Sequence, residues 1–212
     1  MAYTYWSNVG IDVQTALGAN LTISAITKAN PGVVSSTAHG LVNGNYVLLT
    51  IVGMFELNGR VARVANKTND TFELEGVDTT LYTTFVSGTA NLITFGASLS
   101  TIQGVNATGG EPEFADTTTV HDNVRKRAPT VVSPMTMTMD SFYDPTDAAL
   151  AQLALATDTK TTRAILLRFS NGTKMVGSAY CSAAGVPTGN AQDIVKTNVS
   201  LEFQGLPKVY TT

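Results

Sequence analysis

Asp144-Pro-Thr-Asp-Ala-Ala-Leu-Ala-Gln-Leu-Ala-Leu-Ala156 opens a stretch that runs to Pro207, and its reading decides the fold. Asp144 suits an N-cap, Pro145 the first helical position and Asp147 the first turn, where negative charge is favoured. Leu150, Leu153, Ala154 and Thr157 then share one helical face that can pack on a sheet. Two apolar runs follow, Ala164 to Phe169 and Met175 to Cys181, joined by Ser170-Asn-Gly-Thr173. Asn171-Gly172 is a strong hairpin signal, because a two-residue turn of this kind needs positive φ at both positions. After a loop from Ala183 to Asp193, the last run alternates. Val199, Leu201 and Phe203 face one way, and Ser200, Glu202 and Gln204 face the other.

Four pieces of this stretch carry a resemblance: Asn171-Gly-Thr-Lys174, Gly177-Ser-Ala-Tyr180, Gly189-Asn-Ala-Gln-Asp193 and Val199-Ser-Leu-Glu-Phe-Gln-Gly-Leu-Pro207. In this order they resemble the C-terminal half of phage tail tube proteins, the major tail proteins of long-tailed phages. The resemblance implies a mainly β fold: a tail-tube-type β-sandwich or partial barrel flanked by one α-helix. It also implies a homohexameric ring that stacks into a tube, with a tape measure protein and tail terminator and distal tail proteins as partners. Phage DNA would pass through without specific binding, and assembly would take place in the host cytoplasm.

The chain has 212 residues, enough for one domain or one domain with an insertion. Only 14% are charged, and Gly, Thr and Ala are plentiful, which points to an all-β protein with much surface covered by partners. A net charge of −3 argues against a nucleic-acid binder, which needs a basic patch. One cysteine, Cys181, leaves no intrachain disulfide framework and is expected to be a buried, inert thiol. No charged n-region with an apolar core opens the chain, so no secretory signal is expected. No apolar run approaches the length of a transmembrane helix, so no membrane insertion is expected. Asn-x-Thr and Asn-x-Ser triplets at Asn20, Asn66, Asn69 and Asn171 read as by-products of Thr-rich strands and Asn-rich turns.

Near the N-terminus, Tyr3, Tyr5 and Trp6 precede an alternation of Val9, Ile11 and Val13. The segment reads either as an arm that orders on a neighbour or as a first strand with a frayed end. From about Leu21 to Leu92 short strands are expected at Leu21 to Ile26, Gly32 to Ser36, Tyr46 to Ile51, Arg60 to Ala65 and Thr71 to Leu74. Turn residues such as Asn30-Pro-Gly32, Asn43-Gly-Asn45 and Asn58-Gly59 separate them, so the unit reads as an inserted small β-barrel domain. Ser36-Thr-Ala-His-Gly-Leu41, Gly53-Met-Phe-Glu-Leu-Asn-Gly-Arg60 and Thr71-Phe-Glu-Leu74 resemble a small β-barrel module inserted in some phage structural proteins. That module is similar to the first catalytic-cysteine half-domain of ubiquitin-activating enzymes, and the resemblance implies fold without activity. The division expected is therefore 1–20 with 93–212 as the tube-building core, and 21–92 as a decoration dispensable for ring formation. His39 is expected to be a turn histidine bonded to the backbone, and Glu56 and Arg60 to pair across a turn.

The core is expected to resume with one run from Ile93 to Val105. Two strands follow, Phe114 to Val120 and Val131 to Asp140, joined by a long loop. That loop holds His121, Asp122 and Asn123, then Arg125, Lys126 and Arg127. A loop of this length is usually functional or disordered. By the same resemblance it is the hairpin that reaches the adjacent ring. Met135, Met137 and Met139 alternate with Thr136, Thr138 and Asp140, so the methionines belong to a strand and fill the core.

Edge strands invite pairing, and a closed ring of copies satisfies each edge with a neighbour's. The polar half of each strand would then line the bore, with Thr136, Thr138, Asp140, Ser200, Glu202 and Gln204 as candidates. Duplex DNA carries about one charge per 1.7 Å of axis, so a basic lining would hold it and an acidic or hydroxyl lining lets it slide. Arg168 and Lys174 are the cations that threaten this arrangement. No nucleophile elbow, P-loop, dinucleotide fingerprint or zinc-protease motif occurs, and no cofactor or metal site is expected. The expected function is a structural virion protein of a non-contractile tail, a late protein in genome ejection. The alternative is a carbohydrate- or receptor-binding tail module displayed by the inserted barrel.

Overall fold

The computed structural model describes residues 8–183 and 186–211. The aromatic cluster at Tyr3, Tyr5 and Trp6 lies outside them. The fold is mainly β with a single helix, and its strands are antiparallel. Two long strands, β1 (Gly10–Ile23) and β7 (Ser87–Leu99), pair over almost their whole length. On one side of this ribbon lie β2 (Ala25–Ile26), β3 (Val33–Ser35), β4 (Tyr46–Val52), β5 (Val61–Ala65) and β6 (Thr71–Leu74). On the other lie β12 (Thr162–Arg168), β13 (Lys174–Ala183), β14 (Lys196–Phe203), β11 (Thr136–Phe142) and β8 (Ile102–Thr108). The short β15 (Lys208–Tyr210) pairs with the start of β13, completing a 13-stranded sheet. β9 (Pro112–Asp116) and β10 (Arg127–Val132) pair only with each other.

The larger core forms where the alternating apolar residues of this sheet meet α1 (Ala148–Thr159). Ile11, Val13, Leu99, Met137, Met139, Ile165, Leu167, Val199, Leu201 and Phe203 close around Leu153 of the helix. Full burial of a leucine such as Leu153 stabilises the fold by about 2 kcal/mol. Gly177 matters here because a Cβ would stand 2.7 Å from the Phe203 ring. Cys181 is free and buried among these residues, as expected, and burial pushes its thiol up to about 11.

Residues between Ile23 and Ala90 enclose a second core around Phe72, Leu49 and Leu74. Four of the five strands expected there appear within a residue or two of their expected bounds; Leu21 to Ile26 instead divides at Ser24 into the end of the long β1 and the two-residue β2. A third cluster joins the two bodies: Tyr46 and Val61 pack on Ile93, Ala164, Leu166, Val176 and Tyr210. The Tyr210 hydroxyl accepts the Arg63 backbone N–H at 2.9 Å, and the Arg63 guanidinium lies 4.6 Å over the Tyr210 ring. Arg63 also pairs with Glu75, and Lys208 donates to the Gly76 carbonyl at 2.7 Å. The strands around the second core are therefore clamped to the rest of the sheet by the C-terminal strand, through contacts that strand periodicity does not reveal.

Several local expectations change. The helix starts one turn later: Asp147 is its N-cap, accepting from Ala149 N at 2.7 Å and Leu150 N at 3.1 Å. Asp144 instead holds the preceding turn through Thr146 N. The Ile93 to Val105 run breaks at Ser100-Thr101, where Thr101 turns the chain by bonding Ser141 and accepting from Phe142 N. Val131 to Asp140 is not one strand either, because Ser133-Pro134 separates β10 from β11. In the hairpin turn Gly172 takes φ 87° and Asn171 does not take a positive φ; Gly172 N bonds Phe169 O, a turn closed by a glycine bulge. Glu56 and Arg60 do not pair. Glu56 accepts from Thr83, and Arg60 donates to the Tyr82 hydroxyl. His39 bonds the backbone, accepting from Leu41 N and donating to the Thr71 carbonyl. No helix among the described residues is long and apolar enough to cross a membrane.

Candidate assembly interface

β11 and β14 pair in a register that sets Thr136 opposite Glu202, Thr138 opposite Ser200 and Asp140 opposite Asn198. Strand alternation turns these side chains away from the methionine core. Thr136 donates to Glu202 at 2.8 Å, and Asn198 to Asp140 at 3.1 Å. β8 extends the same face with Asn106 and Thr108, and β13 with Tyr180 and Ser182. Five of the six expected lining residues thus form one patch. Gln204 follows just past the end of β14, its backbone N–H on the Ser178 carbonyl. Asn198 continues the polar alternation of β14 one step before Val199, where the expected run began, and Asn106 enters only through the register of β8 with β11. Lys196, opposite Phe142, is the cation at the end of this face.

Arg168 and Lys174 sit opposite each other at the turn end of the β12–β13 hairpin, on the same face of the sheet as Tyr180 and Ser182 and about six residues along β13 from them. Arg168 donates to Asp12 through Nη2 at 2.8 Å, and Ser98 bonds the same carboxylate. Asp12 is buried on the face of the sheet opposite Ile11 and Val13, the same face as Leu166. Hydrogen bonding to Asp12 raises the Arg168 guanidinium further above its ordinary value.

Among the described residues β8 pairs only with β11, and its other edge carries no strand. The corresponding edge at the end of β13 is guarded: the Thr157 hydroxyl of α1 accepts from Ala183 N at 3.0 Å and lies 3.0 Å from the Cys181 carbonyl.

β9 and β10 form an arm that stands away from both cores. Every residue from Glu111 to His121 is exposed, and Phe114, Val120, Val124, Val131 and Val132 carry apolar surface into solvent. The neck is Gly109-Gly110 against Ser133-Pro134; Gly109 has φ 86°, and a Cβ there would meet the Pro134 carbonyl at 2.1 Å. The expected contact residues gather at the tip. Asp122 accepts from Thr119 N and Oγ1 at 2.9 Å and pairs with Lys126. These donors hold the Asp122 carboxyl below its usual range, the Lys126 bond first. His121, Asn123 and Arg125 flank it, exposed, and Arg127 begins β10.

The surfaces an assembling chain needs are therefore present together: an open edge, a polar patch and a projecting arm. The chain has no match among curated proteins. The family described as phage tail tube protein, TTP, matches residues 52–212. The match covers most of the chain, including β11 to β15, α1 and the arm, so the chain belongs to the phage tail tube protein family and is a structural protein of the bacteriophage tail.

Proposed function

We propose that six copies close into a ring, that rings stack into a non-contractile tail tube, and that this tube conducts the genome into the host. The observation that carries the reading is the hydroxyl and carboxylate patch of β11 and β14 beside the open edge of β8. An open edge satisfied by a neighbouring copy makes a heterologous contact that rotation can close. The patch then faces the bore, with Asp140 and Glu202 repelling DNA weakly. In this reading a tape measure protein fills the bore before ejection, and terminator and distal tail proteins meet the ends. The chain enters no membrane, and it is made late and assembled in the host cytoplasm. The arm residues His121, Asp122, Asn123, Arg125, Lys126 and Arg127 belong to ring-to-ring contact. Residues 1–20 and 93–212 build the tube, and residues 21–92 form a decoration of the small-barrel kind on its outer wall. Purified protein examined by negative-stain microscopy and native mass spectrometry is expected to give hexamer rings and tubes; a monodisperse monomer at high concentration would refute the reading.

A second reading, a carbohydrate- or receptor-binding module, is favoured by one observation. Val52, Phe55 and Val86 are exposed where the 3₁₀ turn Phe55–Leu57 meets the loop before β7. Glycan-array binding that survives in the monomer would favour it.

A further inference from the structure

We propose that the groove beside the N-terminal end of α1 receives the arm tip of a second copy, with Val124 seated in the groove and Arg125 against Asp144. The inference rests on the stacking reading above and names the receptor that stacking uses.

Among the described residues the arm pairs with no other strand of its own chain, and Val120 is 97% and Val124 75% exposed. A lone two-stranded hairpin is marginally stable in water, so an arm of this shape gains its order from what it docks on. Its tip is also short of anions. Asp122 is committed to Lys126, while among the described residues neither Arg125 nor Arg127 makes an ion pair.

The groove has the complementary chemistry. It is a cavity of about 160 Å³ floored by Leu150, Ala151 and Ala154 and rimmed by Tyr143, Asp144 and Asp147. One Asp144 oxygen holds Thr146, and the other makes no hydrogen bond, so it can take a guanidinium. The volume suits a single branched apolar side chain. A wider hollow at the same end of the molecule is lined by Gln103, Phe142, Asp193 and Lys196, and its lysine repels the same tip.

Position completes the argument. The arm leaves the molecule next to Thr136, the first residue of β11, and the groove opens next to Tyr143, just past its last. Six residue steps of strand separate the two ends, about 20 Å. The neck of the arm and the receptor therefore lie at opposite ends of one strand. A contact from the arm of one copy to the groove of the next is head-to-tail, and it builds a stack where the rotation between copies does not close it into a ring.

The test uses the full chain carrying Val124→Cys and Ala151→Cys, treated with a short bis-maleimide after tube formation. Both sites are exposed, and Cys181 is buried with a raised thiol pKa, so the native cysteine stays silent. A ladder of covalent multimers beyond the dimer is expected, with each single variant giving no such ladder. Tubes that form normally and yield no ladder overturn the groove as receptor while leaving stacking intact. Failure of the unmodified chain to form tubes removes the stacking reading, and this inference with it. A second variant, Ala151→Phe, fills the groove from a solvent-facing helix position. Hexamer rings are expected to persist, with the concentration needed for tubes raised about tenfold. Tubes at the parental concentration would overturn the proposal even if the double variant does not fold.

Discussion

Arg168 brings a cation onto a strand hairpin, and Asp12, 156 residues away, answers it from the neighbouring strand β1 on the same face. Removing the guanidinium strands a buried carboxylate with only Ser98 as donor. Arg168→Ala is expected to cost about 1–2 kcal/mol, less than a fully buried pair because the arginine is half exposed. Urea unfolding of the dissociated subunit measures it. Tyr210 and Cys181 make a second prediction. Burial is the leading cause for both, raising Tyr210 from 10.0 to about 12 and Cys181 from 9.0 to about 11. A folded pKa above the unfolded one gives stability that is complete below the unfolded value and lost as pH rises through the folded one. Thermal melting is thus expected to hold steady up to about pH 9 and fall between pH 9 and 12, with each group contributing on the order of 2 kcal/mol. Cys181→Ala should delay the onset. At this scale the sequence was legible where chemistry is local. His39 and Cys181 behave as their neighbours in the chain imply. The Asp12–Arg168 pair was not legible, because it depends on which strands become neighbours.

α1 shows how an element can be right in kind and shifted in place. Asp144 and Asp147 are both competent caps, and the choice falls to Asp147 because Asp144 closes a turn on Thr146 first. The helix does more than cover the core. Its Thr157 hydroxyl occupies the backbone groups at the end of β13, which would otherwise present a second open edge. Thr157→Val keeps the shape and removes the hydroxyl, leaving the Ala183 N–H unpaired. The expected loss is about 1–3 kcal/mol, read from chemical denaturation, with a greater tendency to irregular aggregates. The arm is the element the sequence described least well. Its polar tip is plain in the order of residues, but its strands fall elsewhere than expected: β9 ends at Asp116, and β10 begins at Arg127 and stops before Pro134, which parts it from the methionine strand. What distinguishes an arm from a surface loop is the lack of any packing partner, and only three-dimensional placement shows that.

At the scale of the molecule, the described residues form two larger apolar cores within one sheet, and a third cluster lies between them. Deleting 21–92 uncovers Leu166, Val176 and Ile93, at a cost on the order of 5 kcal/mol. The shortened chain is therefore expected to melt far lower or aggregate, contrary to a freely dispensable decoration. Adding Leu166→Thr and Val176→Thr should restore solubility and, with it, rings in the microscope. The bore offers a separate prediction. Asp140→Lys with Glu202→Lys places two cations per subunit on the β11–β14 patch. Rings are expected to form, and particles to eject DNA incompletely, more so at low salt than at high, measured as DNA protected from nuclease after triggering.

One ribbon, β1 with β7, runs between the two larger cores, with register shifts at Val13/Gln14, Gln14/Ala16 and Leu17/Asn20. A drag on the second core along that ribbon loads its cross-strand bonds together, in shear, instead of unzipping them one by one. That part of the chain is thus fixed like a fin on a spar: it cannot swivel on a tether, and a tug on it passes straight into the rest of the sheet.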